Sequence, residues 1–362
     1  MELPNALKQR IEWMKKDNLQ SRTSKRKKDY LLLVLLLFFC VSVTGCTPYK
    51  EASQPEINKV TIAYSPTMIS VLVHIAYTRG YFRDEGLQVT PQFHEFGKLA
   101  LDAMLGGKAD LAVSADMPIV HAITNGKKLF ILADICASPK AIGIVALKER
   151  GITNPQHIRG KRIGVVFGTM GEFLLDYFLI MNEIKRNEVK IIDMKPSEMH
   201  NALTAGRVDA VCIWNPHKIT LERALKDRVV VFYDENHRGD VGILSAPQEF
   251  VQKYPETVKR ILKALVRAED YARNHPEEAK NITAELNKID RPFIDAIWDD
   301  YRLRVRLEQS LIVALEEETR WLAENGLMKR VHMPNYLAFI YTEGLHAVKP
   351  EGVSIIRKEV IR

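Results

Sequence analysis

The sequence predicts an α/β protein built from two similar units, followed by a helical C-terminal region. Three observations carry this. Short apolar runs of strand length alternate with stretches of helical period from Val60 to Asp234. AMLGGKAD (103–110) returns as ALTAGRVD (202–209) about 100 residues later, with Gly, a basic residue, an apolar residue and Asp in register. Beyond VGILSAP (241–247) the spacing changes to that of longer helices.

In the first unit VTIAY (60–64) is a strand, 68–81 a helix and VTPQFH (89–94) a second strand. Helix 98–105 leads into strand DLAVS (110–114), and helix 118–125 into strand LFILAD (129–134). The second unit starts with IGIVAL (142–147) and strand RIGVVF (162–167). Helix 171–184, strand VKIIDM, helix 198–205 and strand DAVCIW follow, then a short helix from Pro216 and strand VVVFYD. In the last region Val258, Ile261, Leu262, Leu265 and Val266 mark one face of a helix over 255–274. Residues 294–307 also read as helical, as do 310–325, stopped at Gly326, and GVSII (352–356) reads as extended.

The N-terminus is a different kind of sequence. Lys25-Arg26-Lys27-Lys28 precedes the apolar run LLLVLLLFFCVSV (31–43), and Thr44-Gly45-Cys46 follows at once. A basic segment, a short apolar core and small residues before a cut make a secretory signal over 1–45. The run is too short for the roughly 20 residues that span a bilayer as a helix. YKEASQPEIN (49–58) then reads as part of a polar tether, 46–58. Met14, followed by Lys15-Lys16, is an alternative start of the leader.

The leader also accounts for most of the charge. The chain of 362 residues carries 52 Lys and Arg against 45 Asp and Glu, a net +7. Nine of those basic and four of those acidic residues precede Cys46, so the remainder is nearly neutral and does not point to nucleic acid. Of the four Cys, Cys40 is in the leader and Cys46 at its end; Cys136 and Cys212 sit in apolar runs and are expected as buried thiols, not as a disulfide framework.

The sequence contains no G-x-x-x-x-G-K-[ST], H-E-x-x-H, G-x-S-x-G or C-x-x-C motif. No cofactor and no metal are expected. His74 falls within an apolar helix and is expected to be a satisfied core residue; Glu316-Glu317-Glu318 is expected on a solvated face. What remains is a set of strand ends, where α/β proteins bind ligands. YSPTM offers Tyr64, Ser65, Thr67 and Met68; SADMP offers Ser114, Ala115 and Asp116. GTMGE offers Gly168, Thr169, Met170 and Glu172, and WNP offers Trp214 and Asn215. Gly, Ser and Thr there leave backbone N–H groups free to donate, which suits an oxyanion. Asp116, Glu172 and Glu95 would instead suit an amine or heterocyclic N–H if they faced the cleft. Trp214 and Phe96 are expected to sandwich a flat or apolar moiety.

These residues carry a resemblance. AYTRGYFRDEGLQV (76–89), GGKADLAVSADMP, IRGKRIGVV, AGRVDAVCIWNP and PNYLAFIYTEGLHAVKPEGVSII are similar to stretches of the nitrate, sulfonate, taurine and thiamine-precursor substrate-binding proteins of bacterial ABC importers. The likeness covers about residues 57–356. It implies a periplasmic-binding fold of the second type: two α/β lobes, 59–141 with 246–362 and 142–245, with hinge crossings near 142–147 and 240–245. It implies a monomer that closes on a small molecule and hands it to a permease and ATPase. Val43-Thr44-Gly45-Cys46 resembles a bacterial lipobox, which implies lipid on Cys46 and an extracytoplasmic position on a bacterial membrane. Relatives that take an amino-sulfonate often place an acid after the motif's Trp, where this chain has Asn215, a departure that weakens a taurine assignment. Two other functions compete: a pyrimidine-forming enzyme on the same scaffold, tested at His94 and His121, and a sensory module for a membrane receptor. The related enzymes use a Cys-rich segment that this sequence lacks.

Overall fold

A computed structural model describes residues 57–233, 239–328 and 332–356. The expected leader, Cys46 and most of the tether lie outside these residues. No helix among the described residues is long and apolar enough to cross a membrane.

The described chain forms two five-stranded sheets on one plan. In the first, the order is β2 (Gln88–Phe93), β1 (Lys59–Tyr64), β3 (Leu111–Ser114), β10 (Asp240–Pro247), β4 (Leu129–Ser138). In the second it is β7 (Lys190–Asp193), β6 (Arg162–Val165), β8 (Ala210–Trp214), β5 (Ile142–Leu147), β9 (Val229–Phe232). In each sheet four strands run in one direction and one runs against them, β10 in the first and β5 in the second, lying between the third strand and the edge strand. Central strands covered on both faces need near-continuous apolar sequence. That is why IGIVAL is buried at every position of β5 and why Ile62, Ala63 and Tyr64 of β1 are fully buried. Each such Ile or Leu contributes about 1.5–3 kcal/mol by leaving water.

The strands expected from alternation are present, with ends shifted by a few residues. LFILAD continues to Ser138 because its partner β10 runs the same distance. The helix expected over 68–81 is divided into a turn at Met68–Ser70, the helix Val71–Thr78 and the short Tyr81–Asp84, broken at Gly80 with φ +76°. Residues 142–147 and 240–245, expected as hinge crossings, are strands β5 and β10, and the chain crosses between the lobes just before each. Residues 241–245, expected with the second lobe, hydrogen-bond throughout in the first sheet.

Residues 294–307 are not one helix. Helix Arg291–Ile297 ends in a turn at Trp298–Asp300, and Tyr301–Leu307 is extended, bridging β4 at Ala137–Arg302 and Asp134–Arg306. YRLRVRL has period two: Tyr301, Val305 and Leu307 face inward, while Arg302 and Arg304 are exposed. Glu318 is also a correction, since it is buried on helix Gln309–Glu324 and not on a solvated face. Helix Pro255–Asn274 has the expected bounds, and GVSII is extended where Val353 bridges Leu307. Cys136 and Cys212 are free, buried strand residues. His74 shares a hydrogen bond with the Tyr64 hydroxyl at 3.1 Å, as befits a satisfied core histidine.

Candidate functional site

The strand ends converge on one cleft between the lobes, with about 460 Å³ of empty space including its mouth. Nine of the expected residues line it: Ser65, Thr67, Met68, Phe96, Ala115, Thr169, Met170, Trp214 and Asn215. Phe96, Ala115, Thr169 and Pro216 each stand at the N-cap of a helix, and none caps it with a side-chain hydrogen bond. Helix starts of this kind present unsatisfied N–H groups and a partial positive charge to whatever lies before them.

The other five expected residues do not line the cleft; each faces protein. Tyr64 is buried, its hydroxyl on His74 and its ring edge-on to Phe93 at 5.0 Å. Ser114 turns its hydroxyl to the Ala115 carbonyl, 3.0 Å away. Asp116 is fully buried behind the cleft and accepts from the Met117 N–H at 3.2 Å. Gly168 takes φ +69° at the turn into helix Met170–Met181, and its N–H donates to Glu172 Oε2 at 2.8 Å. Glu172 also pairs with Arg186 at 2.8 Å, so its charge is answered inside the second lobe. Glu95 is exposed and accepts from the Ser197 hydroxyl at 2.8 Å, one lobe to the other.

Sequence reasoning missed Ile69, Gly97, Lys98, Pro118, Ile142, Asp240 and Tyr301, all of which line the cleft. Lys98 stands near Gly168, where a Cβ would be 3.5 Å from Lys98 Cε, and its ammonium lies 3.0 Å from Asp102. Asp240 begins β10, and burial, with the neighbouring Asp116 charge, pushes its carboxyl up to about 7. Tyr301 comes from the extended segment first read as helix. Only the tertiary fold brings these three to the cleft; no local pattern marks them.

Asn215 is the most informative residue. It is 2 % exposed, its N–H donates to the Ala141 carbonyl at 3.0 Å, and its side-chain amide donates to the Tyr301 hydroxyl at 3.2 Å. Its side-chain oxygen is buried without a hydrogen-bond partner among the described residues. Buried acceptors are rarely left so, because the lost hydration costs about 1–3 kcal/mol. Asn215 lines the cleft, and a ligand N–H or O–H that reached this oxygen would satisfy it. The expected sandwich of Phe96 and Trp214 has a different geometry: the rings are 6.2 Å apart at 53°, tilted against each other and not spaced as parallel plates. Phe96 reaches from the first lobe into the apolar cluster of the second.

Another contact joins the lobes away from the cleft. Trp321 Nε1 donates to the buried Asp176 carboxylate at 3.0 Å, and the Trp321 ring meets Phe173 edge-on at 5.5 Å. No group of three His, Cys, Asp or Glu among the described residues is placed to hold a metal.

Two α/β lobes of identical strand order, crossed twice by the chain and facing each other across helix N-termini, define the periplasmic-binding-protein fold of the second type. The family model described as NMT1/THI5 like matches residues 69–279, and the chain belongs to that family. A Bacillus subtilis chain provisionally named an aliphatic sulfonates-binding protein is 24% identical over 302 residues, covering 81% of this chain and 88% of that one. The 4-amino-5-hydroxymethyl-2-methylpyrimidine phosphate synthase of Saccharomyces cerevisiae is 24% identical over 321 residues, covering 82% and 91%. Among solved structures, the alkanesulfonate-binding protein of Xanthomonas axonopodis pv. citri bound to MOPS superposes with a TM-score of 0.71 at 19% identity, over 79% of this chain and 99% of that one. That structural likeness shows the fold.

Proposed function

We propose that this chain is the solute-binding component of an ABC importer, a monomer that closes its lobes on a small organic molecule and delivers it to a permease and ATPase. In this reading the signal at 1–45 directs export, and lipid on Cys46 holds the binder on the outer side of a bacterial membrane. The lobes divide at the two crossings, and the nine expected residues that line the cleft contact the ligand together with Lys98, Asp240 and Tyr301.

The observation that carries the reading is the buried, unpartnered oxygen of Asn215 in a cleft fed by helix starts from both lobes. Such an arrangement gains its partner from a ligand and needs no chemistry. The same residues favour a ligand with a hydrogen-bond-donating nitrogen at the Asn215–Asp240 end. A carboxylate in the wall repels nitrate and other bare oxyanions, while Lys98 and the Thr169 helix start suit an anionic group at the other end. Mass spectrometry of the small molecule that co-purifies with the folded chain tests this. A nitrogen-bearing compound that raises the melting temperature and is returned unchanged is the expected result. A bare inorganic anion would sink the ligand class, and no ligand from a panel of sulfonates, nitrate, aromatic acids and pyrimidines would sink the binding role.

The match to the yeast synthase keeps an enzymatic reading in view. Its candidates, His94 and His121, do not line the cleft. Release of a new product by purified chain, abolished by H121A, would favour that reading over binding.

A further inference from the structure

The same turn that puts Trp214 and Asn215 in the cleft puts Lys218 at the hinge. Lys218 lies in the first turn of helix His217–Leu225 and is 3% exposed, which is rare for a lysine. Its ammonium donates to the Lys140 carbonyl at 2.5 Å and to the Tyr233 hydroxyl at 3.2 Å, and lies 4.3 Å from the centre of the Tyr233 ring. Lys140 belongs to the first crossing, between β4 and β5. Tyr233 follows β9, where the chain leaves for the second crossing. One cation thus touches both connections between the lobes.

The surroundings are built around that contact. Gly143 of β5 passes directly beneath it, and a Cβ there would stand 3.1 Å from Tyr233 Cε1 and 3.2 Å from Lys218 Cδ, closer than ordinary packing. Tyr233 donates onward to Glu222 Oε1 at 3.3 Å, so its ring is held from the far side. The Asn215 N–H fixes the first crossing a second time, at the Ala141 carbonyl. The short stretch from Trp214 to Lys218 therefore joins ligand contact to hinge contact within about one helical turn.

We infer that Lys218 is a positioning residue for ligand binding: its ammonium staples the two crossings to each other and so fixes the angle at which the lobes meet. The inference rests on the closing binder proposed above. A buried ammonium is a costly way to fill space, and an apolar side chain would fill it at less expense. Its place between two crossings is explained by the geometry it enforces. The groups that face it are Glu222 from its own helix, Asp300 from the C-terminal region, and Lys140 and Tyr233 from the crossings. Burial lowers its pKa to about 8; Glu222 and Asp300 oppose that lowering and Lys140 adds to it. The staple is therefore charged at neutral pH and loses its charge just above it.

The test is the distance between the lobes, read by energy transfer between fluorescent unnatural amino acids at the exposed Lys127 and Lys190 in the full chain without added ligand. The wild type is expected to give a narrow distribution at pH 7 that broadens with a midpoint near pH 8. K218M should be broad at both ends of that range, and K218R narrow through pH 9. A merely structural lysine would change the melting temperature and leave the distances alone. If K218M matches the wild type at pH 7, the inference is overturned. If K218M does not fold, Y233F decides: broadening supports the staple, and an unchanged distribution overturns it. The readout needs no ligand, so failure of every solute to bind would remove the transport reading without deciding this comparison.

Discussion

Asp110 and Asp209 do the same work in the two lobes. Each ends the repeated phrase, just before the third strand of its sheet. The Asp110 carboxylate accepts from the Thr61 N–H at 2.7 Å while its own N–H donates to the Thr61 carbonyl at 2.9 Å. Asp209 makes the same pair of bonds with Arg162, at 2.9 and 2.8 Å. The near-repeat in the sequence is therefore a repeated structural device, locking β3 to β1 and β8 to β6.

Removing the device destabilises either lobe. D110A leaves a strand N–H without its acceptor, and the expected loss is about 1–3 kcal/mol. Asp209 also receives the Arg162 guanidinium at 2.8 Å, which together with the backbone bond holds its carboxyl below the usual range despite burial. A carboxyl depressed in the folded state adds stability above its unfolded pKa and loses it as pH falls through the folded one. D209N should flatten the acid limb of a denaturation profile below about pH 4, whereas an unchanged acid limb would count against the assignment.

How much of this could be read from the sequence depends on the range of the signal. Period-two and period-3.6 patterns are local, so the strands and helices were legible, and the repeat pointed to two units. YRLRVRL was misread because long Arg side chains between apolar residues also satisfy a loose helical pattern. Its true period became visible only once Arg302 and Arg306 were seen bridging β4. Strand ends were legible as a site because topology places them there. Glu172 was not legible as an internal partner, since its Arg186 lies 14 residues on. Asp240 begins a strand that returns to the first sheet from the second lobe, and no spacing marks it as lining a cleft with Trp214.

Asp240 sets a pH dependence that runs opposite to that of Asp209. Its carboxyl titrates near 7 in the folded chain, raised by burial and then by Asp116. A raised carboxyl binds more protons folded than unfolded, so stability falls as pH rises from the ordinary carboxylate range through 7. The unliganded chain should lose on the order of a few kcal/mol over that window, and D240N should lose little. Affinity for a nitrogen-bearing ligand should rise over the same window as the carboxylate forms. Melting curves from pH 4 to 8, with and without the co-purified compound, separate the two effects, and a parallel decline in both would contradict the ligand class.

Asn215 separates affinity from stability. N215A removes the unpartnered oxygen together with the bond to Tyr301, two changes of opposite sign for the unliganded fold. Its melting temperature should therefore move little, while ligand affinity falls roughly 10- to 100-fold, as expected for loss of one or two buried hydrogen bonds. Calorimetry on wild type and N215A reads this directly. An N215A chain that binds normally would place the ligand elsewhere in the cleft.

Trp321 tests whether the lobes are held together from outside the cleft. Its indole donates across the lobes to Asp176, a carboxylate that burial pushes above its usual range despite Arg186 and Trp321 itself. W321F removes the donor together with the five-membered ring of a buried indole, so part of the packing against Phe173 is lost with the hydrogen bond. Asp176 retains its pair with Arg186, so the variant should fold with a loss of about 1–3 kcal/mol, hydrogen bond and cavity together. The hydrogen-bond part of that energy is available only when the lobes are closed, so its loss should appear in ligand dissociation, faster by roughly three- to tenfold, with little change in association. Stopped-flow release of bound ligand makes the comparison. Equal release rates would mean that the Trp321–Asp176 contact persists when the lobes open, and that closure is governed by other contacts between the lobes, such as Glu95 with Ser197 and Arg223 with Pro292.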